Sequence, residues 1–83
     1  MKKEEIIVYT NNKCGYCKYL KRELKNKNID FQNKLTSDFK DEWLSVIELT
    51  GIPLVPTVKY KNKYLVPGRD FKTVNQLLKQ IKE

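Results

Sequence analysis

Histidine is absent from the 83 residues, and cysteine occurs only twice. Without an imidazole, neither a Cys-His nucleophile pair nor a Ser-His-Asp triad can be assembled. Two cysteines also fall short of the four ligands that structural zinc takes, unless carboxylates or a second chain complete the set, so no metal site is expected. Long apolar runs are missing too. The opening Met-Lys-Lys-Glu-Glu leads only into Ile6-Ile7-Val8-Tyr9, far below the about 7–15 apolar residues of a signal-peptide core or the about 20 of a membrane span. The chain is therefore expected to be cytoplasmic, with no membrane partner. Repeats, low-complexity tracts and linkers are absent, so residues 1–83 read as one small domain, expected to be monomeric.

Acidic residues are the minority, 10 against 17 basic, for a net charge of +7. That balance invites a nucleic-acid reading, but the lysines are spread over every segment and often stand near an acid, as in Lys21-Arg22-Glu23 and Lys40-Asp41-Glu42. The aromatics form no RNA-binding or zinc-finger pattern. No nucleic-acid partner is expected. The charge suits instead the steering of acidic partners, or of thiol substrates carrying carboxylates, by attraction that salt weakens.

What the chain does have is a pair: Cys14-Gly15-Tyr16-Cys17, between a strand-like run and a helix-like one. At helical spacing i and i+3 the two side chains share one face, about 5–6 Å apart, close enough to form a disulfide without backbone movement. A purely structural bridge over so short a loop would add little stability. In a reducing compartment such a pair reads as a redox-active dithiol.

Around it the hydrophobic period alternates. Glu5 to Thr10 is β-branched and aromatic, predicting a strand buried on both faces at the centre of a sheet. From Gly15 to about Asn28 the spacing of Cys17, Leu20 and Leu24 predicts an amphipathic helix with Lys18, Lys21, Arg22 and Lys25 on its other side. Ile29 to Asn33 alternates as a second, parallel strand would. Ser37 or Asp38 is placed to cap a helix through Thr50, with Phe39, Trp43, Val46 and Ile47 as its apolar face and Gly51 as its stop. Thr57–Tyr60 and Tyr64–Val66, flanking Lys61-Asn62-Lys63, predict a hairpin. After the Pro67-Gly68 break, Phe71, Val74, Leu77, Leu78 and Ile81 mark a last helix. The class is α/β and the order βαβαββα.

A strand ending Tyr9-Thr10, followed by Cys14-Gly15-Tyr16-Cys17 and this element order, resembles glutaredoxin over nearly the whole chain. Thr50-Gly51, then Leu54-Val55-Pro56 after Ile52-Pro53, sits where glutaredoxins carry Thr-Gly and Thr-Val-Pro, and Gly68-Arg69-Asp70 is similar to their Gly-x-Asp segment. The resemblance implies a thioredoxin-like fold, a four-stranded mixed sheet flanked by three helices, acting as a thiol–disulfide oxidoreductase on protein or glutathione mixed disulfides. Cys14, at a helix amino terminus with Lys13 and Lys18 nearby, is expected to favour the thiolate and to attack; Cys17, a turn deeper, is expected to resolve.

The same resemblance implies that Pro56 follows a cis peptide and faces the dithiol, that the Val55 main chain pairs with substrate, and that Lys13, Gly68 and Asp70 contribute to glutathione binding. Asp70 is expected to meet an α-amino group and also to cap the last helix. Tyr16 either borders the substrate groove or fills space, and both readings stay open. Gly15, where many glutaredoxins have proline, loosens the first turn.

Departures from the family pattern bear on the partner. Asn11 stands where a glutathione-anchoring lysine is usual, Ile52-Pro53 replaces a Gln-Arg pair, and Phe71 stands where a second acid is common. No permanently bound cofactor is expected, and glutathione is the expected co-substrate. Two alternatives remain: an electron donor reduced by a flavoprotein reductase, for example serving ribonucleotide reductase, and a carrier of a [2Fe–2S] cluster ligated by Cys14 and glutathione thiols, disfavoured by the weak anchors.

Overall fold

A computed structural model describes residues 6–61 and 63–82. Glu5, expected to open the first strand, and Asn62, expected in the hairpin turn, lie outside the described residues. The elements are β1 (Ile7–Thr10), α1 (Gly15–Asn26), β2 (Gln32–Leu35), α2 (Lys40–Thr50), β3 (Thr57–Tyr60), β4 (Lys63–Leu65) and α3 (Val74–Lys82). The strands form one mixed sheet in the order β2-β1-β3-β4. β2 runs parallel to β1, while β3 is antiparallel to both β1 and β4.

β1 is buried along its whole length, as a continuous apolar run requires. Period-2 alternation sends Ile6 and Val8 into one core and Ile7 and Tyr9 into another. The first core holds Leu20 and Leu24 of α1 together with Val74, Leu77, Leu78 and Ile81 of α3. The second is small, with Val46 of α2 buried and Trp43 and Tyr64 packed against it. Two helices thus cover one face and α2 the other.

Several boundaries differ from the sequence reading: Phe71, expected on the last helix, precedes α3, which begins at Val74, and four others shift for local reasons. α1 stops at Asn26 because Asn28 turns left-handed (φ 58°) and the Ile29 N–H returns to the Leu24 carbonyl at 2.9 Å. Ile29 therefore belongs to the helix stop, and β2 begins three residues later, where the Gln32 N–H reaches the Ile6 carbonyl at 2.7 Å. Neither Ser37 nor Asp38 caps α2. The Leu35 carbonyl accepts from both Asp38 and Phe39 in a tight turn, so Phe39 becomes the N-cap without a side-chain bond, and Asp41 and Glu42 complement the helix dipole instead. Phe39, expected on the buried face, is 40% exposed, with the Lys34 ammonium 5.1 Å from its ring centre. In the hairpin Lys63 joins β4, and Val66 leaves it. Gly51 ends α2 in the left-handed region at φ 75°, as expected.

Under α2 the Tyr9 hydroxyl donates to the Glu42 carboxylate, which also accepts from the Lys34 ammonium at 2.9 Å. The Tyr9 bond, then the Lys34 bond, hold the Glu42 carboxyl below its ordinary value against some burial. Burial, then that hydrogen bond, pushes the Tyr9 phenol up. Tyr9→Phe should cost about 1 kcal/mol in urea unfolding at neutral pH. Because the folded Glu42 pKa is depressed, its contribution is present above the unfolded carboxylate value and fades as pH falls through the folded one. Glu42→Gln should therefore flatten the acid limb of a stability–pH curve.

Candidate active site

β1 delivers the chain to a turn at the rim of the sheet. Asn11 builds that turn: its main-chain carbonyl accepts the Cys14 N–H at 3.4 Å, and its side-chain Oδ1 accepts the Lys13 N–H at 2.9 Å. Cys14 is then the N-cap of α1, in extended conformation (φ −96°, ψ 106°). Its Sγ accepts the Cys17 N–H at 3.0 Å, one of the amide groups that a helix start leaves without an intrahelical partner.

The two thiols are free and unequal. Cys14 is half-exposed, whereas Cys17 is 1% exposed beneath it. Burial, followed by its interaction with Cys14, pushes the Cys17 thiol up to about 12. A main-chain hydrogen bond from Asn11 and the charge of Lys21 oppose that shift. One helical turn thus carries an accessible sulfur facing an N–H donor and a dry sulfur that keeps its proton, an arrangement suited to two successive thiol–disulfide exchanges.

The β-sheet register brings two further segments to this end. Thr57 lies opposite Tyr9, so Val55 and Pro56, immediately before Thr57, stand at the rim reached by the end of β1. The Val55–Pro56 bond is cis, Pro56 is buried and Val55 half-buried. Leu65 lies opposite Val58, so the turn from Val66 to Asp70, holding Gly68, emerges at the same end. Gly68 has φ 89°, a region open to glycine at no steric cost, and its N–H bonds to the Phe71 carbonyl at 2.8 Å.

Asp70 does not cap the last helix. Thr73 stands just before α3, and its Oγ1 accepts the Gln76 N–H at 3.2 Å. The Asp70 Oδ2 instead accepts from the Val66 N–H at 2.8 Å and from both Nε and Nη2 of Arg69, at 3.0 and 2.9 Å. Burial pushes this carboxyl up, but the bonds from Arg69 and Val66 outweigh it and hold it below its ordinary value. Tyr16 packs against the first core, and its hydroxyl is buried with no hydrogen-bond partner among the described residues. Lys13 is exposed.

Three positions escaped the sequence reading. Asn11 stood out only for the lysine it replaces, although Asn-Asn before a helix is a turn signal. The buried Thr57 donates its hydroxyl to the Leu54 carbonyl at 2.6 Å, and Thr50 Oγ1 accepts the Ile52 N–H at 3.2 Å. These hydroxyls fasten both ends of the loop that carries Val55 and Pro56.

A family model described as Glutaredoxin matches residues 6–65. No curated protein matches the chain significantly. Among solved structures, a mutant of a thioredoxin-like protein superposes with a TM-score of 0.75 at 18% identity, over 94% of this chain and 99% of that one. Buckwheat glutaredoxin in complex with glutathione gives a TM-score of 0.70 at 18% identity, over 95% and 69%. The glutaredoxin-like protein NrdH-redoxin from Escherichia coli, which has a thioredoxin-like activity profile, gives 0.66 at 26% identity, over 88% and 93%. The architecture is the thioredoxin-like one.

The unequal burial has a direct readout. In reduced Cys14→Ser protein at neutral pH, Cys17 should react with iodoacetamide at least about 100-fold more slowly than free cysteine, since thiolate and access are both scarce. Comparable rates, followed by mass spectrometry, would contradict the burial argument.

Proposed function

The chain belongs to the glutaredoxin family, whose members are thiol–disulfide oxidoreductases, and on that premise we propose that it reduces disulfides through Cys14 and Cys17, working in a reducing cytoplasm without a bound cofactor. The observation that carries this reading is the Cys17 N–H directed at Cys14 Sγ, with Cys17 itself buried. The Cys14 thiolate attacks one sulfur of a substrate disulfide, forming a Cys14–substrate disulfide and releasing the other sulfur as a thiolate, which takes a proton from solvent. Cys17 then attacks Cys14 Sγ, its proton passing to the departing substrate sulfur, which closes the Cys14–Cys17 disulfide and releases the second substrate half as a thiol. Two electrons pass from the dithiol to the substrate. An outside thiol such as glutathione can replace Cys17 in the second step. In either route Pro56, the Val55 main chain and Gly68 border the substrate, with Tyr16 supporting the first turn of α1 from below.

Protein disulfides are favoured over glutathione mixed disulfides as the substrate. The Asp70 carboxylate, the group expected to receive an α-amino end, already holds Arg69, and Lys13 is the only other charged anchor among the expected contacts. The same observation, with the 26% identity to NrdH-redoxin, supports a second reading in which a flavoprotein reductase rather than glutathione returns electrons to the disulfide. In both readings the protein acts as a monomer.

Reduction of a small glutathione mixed disulfide, coupled to glutathione reductase and NADPH, tests the assignment. Cys14→Ser should abolish activity; with glutathione as reductant Cys17→Ser should retain much of it, and with a flavoprotein reductase it should retain none. A fully active Cys14→Ser protein would refute the roles of both cysteines. Arg69→Ala should raise kcat/KM for the glutathione substrate by up to about fivefold, because an exposed ion pair worth up to about 1 kcal/mol no longer competes for Asp70.

A further inference from the structure

Away from the dithiol, an open groove of about 790 Å³ runs between α1 and the segment leading into β2. Lys18, Lys21, Arg22 and Lys25 line its α1 wall, at the i, i+3, i+4 and i+7 spacing of one helix face. Half-buried Ile29 and Phe31, packed against the core, add apolar lining. Among the described residues none of the four cations is held in an ion pair. The one acid in the lining, Asp30, already has an interaction of its own. Lys18 with Arg22 and Lys21 with Lys25 are like-charge pairs at i, i+4, which weaken a helix rather than support it. The demands of folding leave this row unexplained.

Its position gives it a use. The row begins at the first turn of α1, where the Lys18 N–H bonds to the Cys14 carbonyl at 3.4 Å. From Cys14 to Lys25 the helix advances about 16 Å, the reach of about five residues of extended chain. The groove also adjoins β2, an edge strand with one neighbour in the sheet, so main-chain groups are at hand for an extended partner. A cationic wall with apolar lining complements acidic side chains interspersed with apolar ones. Duplex or single-stranded nucleic acid would call for a longer cationic track.

We propose that this groove binds an acidic, extended segment of the protein whose disulfide Cys14 and Cys17 reduce, with carboxylates about three to five residues from the cysteine under attack. The inference rests on the thiol–disulfide function and adds to it a class of partner: proteins with acidic residues flanking the reducible cysteine.

The test uses the reduced protein in single turnover, so that its own dithiol supplies the two electrons. Two peptides, each with its cysteine disulfide-bonded to thionitrobenzoate, differ only in carrying three glutamates or three glutamines at those positions. Attack by Cys14 on the peptide sulfur releases the coloured thionitrobenzoate thiolate, and Cys17 then frees the peptide thiol. At low ionic strength the glutamate peptide should react about tenfold faster, an advantage that salt removes. In Arg22→Gln/Lys25→Gln protein the advantage should fall to about threefold or less, with the glutamine peptide unaffected. An undiminished advantage in that variant would assign the effect to overall charge and overturn the groove. If neither peptide is reduced, the redox reading fails, and amide shifts at Arg22, Lys25 and Phe31 on titrating serine versions of the peptides decide the groove separately: shifts with the glutamate peptide alone support it, and none overturns it. Displacement of the glutamate peptide by a lower concentration of a ten-nucleotide oligo(dT) would overturn the choice of a protein segment.

Discussion

β1 has to bury both of its faces, and most of the structure follows from how that is met. Ile6 and Val8 call for cover on one side and Ile7 and Tyr9 on the other, so helices must lie on both faces of the sheet. The parallel partner β2 requires a crossover, and α1 is that crossover. Because α1 must start where β1 ends, its amino terminus is held at the rim of the sheet. The dithiol inherits its position from that connection, and the loop before β3 and the turn after β4 reach the same rim because β3 runs antiparallel to both β1 and β4.

α1 serves three surfaces at once. One face supplies Leu20 and Leu24 to the core, the first turn directs the Cys17 N–H at the Cys14 sulfur, and the remaining face carries the cations. The difference between the two cysteines is a difference of height on this helix. Cys14 precedes the first turn and stays half in solvent, while Cys17 falls on the core-facing side, where removal from water penalises its charged form. Burial sets two chemically identical groups apart.

The second rim segment shows how a short polar network can change a site without altering the fold. Arg69 bonds both to the Tyr64 carbonyl and to Asp70, so the acid of the turn is tied back to β4 and partly neutralised. Thr50 and Thr57 act in a comparable way on the loop before β3, each using a hydroxyl to satisfy main-chain groups that no sheet or helix pairs. These bonds span only two to five residues or join sequence neighbours, the local hydroxyl and side-chain turn chemistry of loops.

Local rules determined much of this protein from its sequence. The apolar run Ile6–Tyr9, the 3.6-residue spacing in α1 and α3, the stop at Gly51 and the Cys14–Cys17 spacing each act over one element, and each is legible because neighbours in sequence are neighbours on its face. Phe39 misled that reading, since its spacing fitted the α2 stripe while the Leu35 turn set it outside the helix. The start of β2 misled it too, because Ile29 was taken by the end of α1 and the register was set by a bond to Ile6. Tertiary structure alone decided the depth of Cys17, the Tyr9–Glu42–Lys34 contact and the cationic groove between α1 and β2. Each depends on how segments pack around the sheet, and that packing exists only once both faces of β1 are covered.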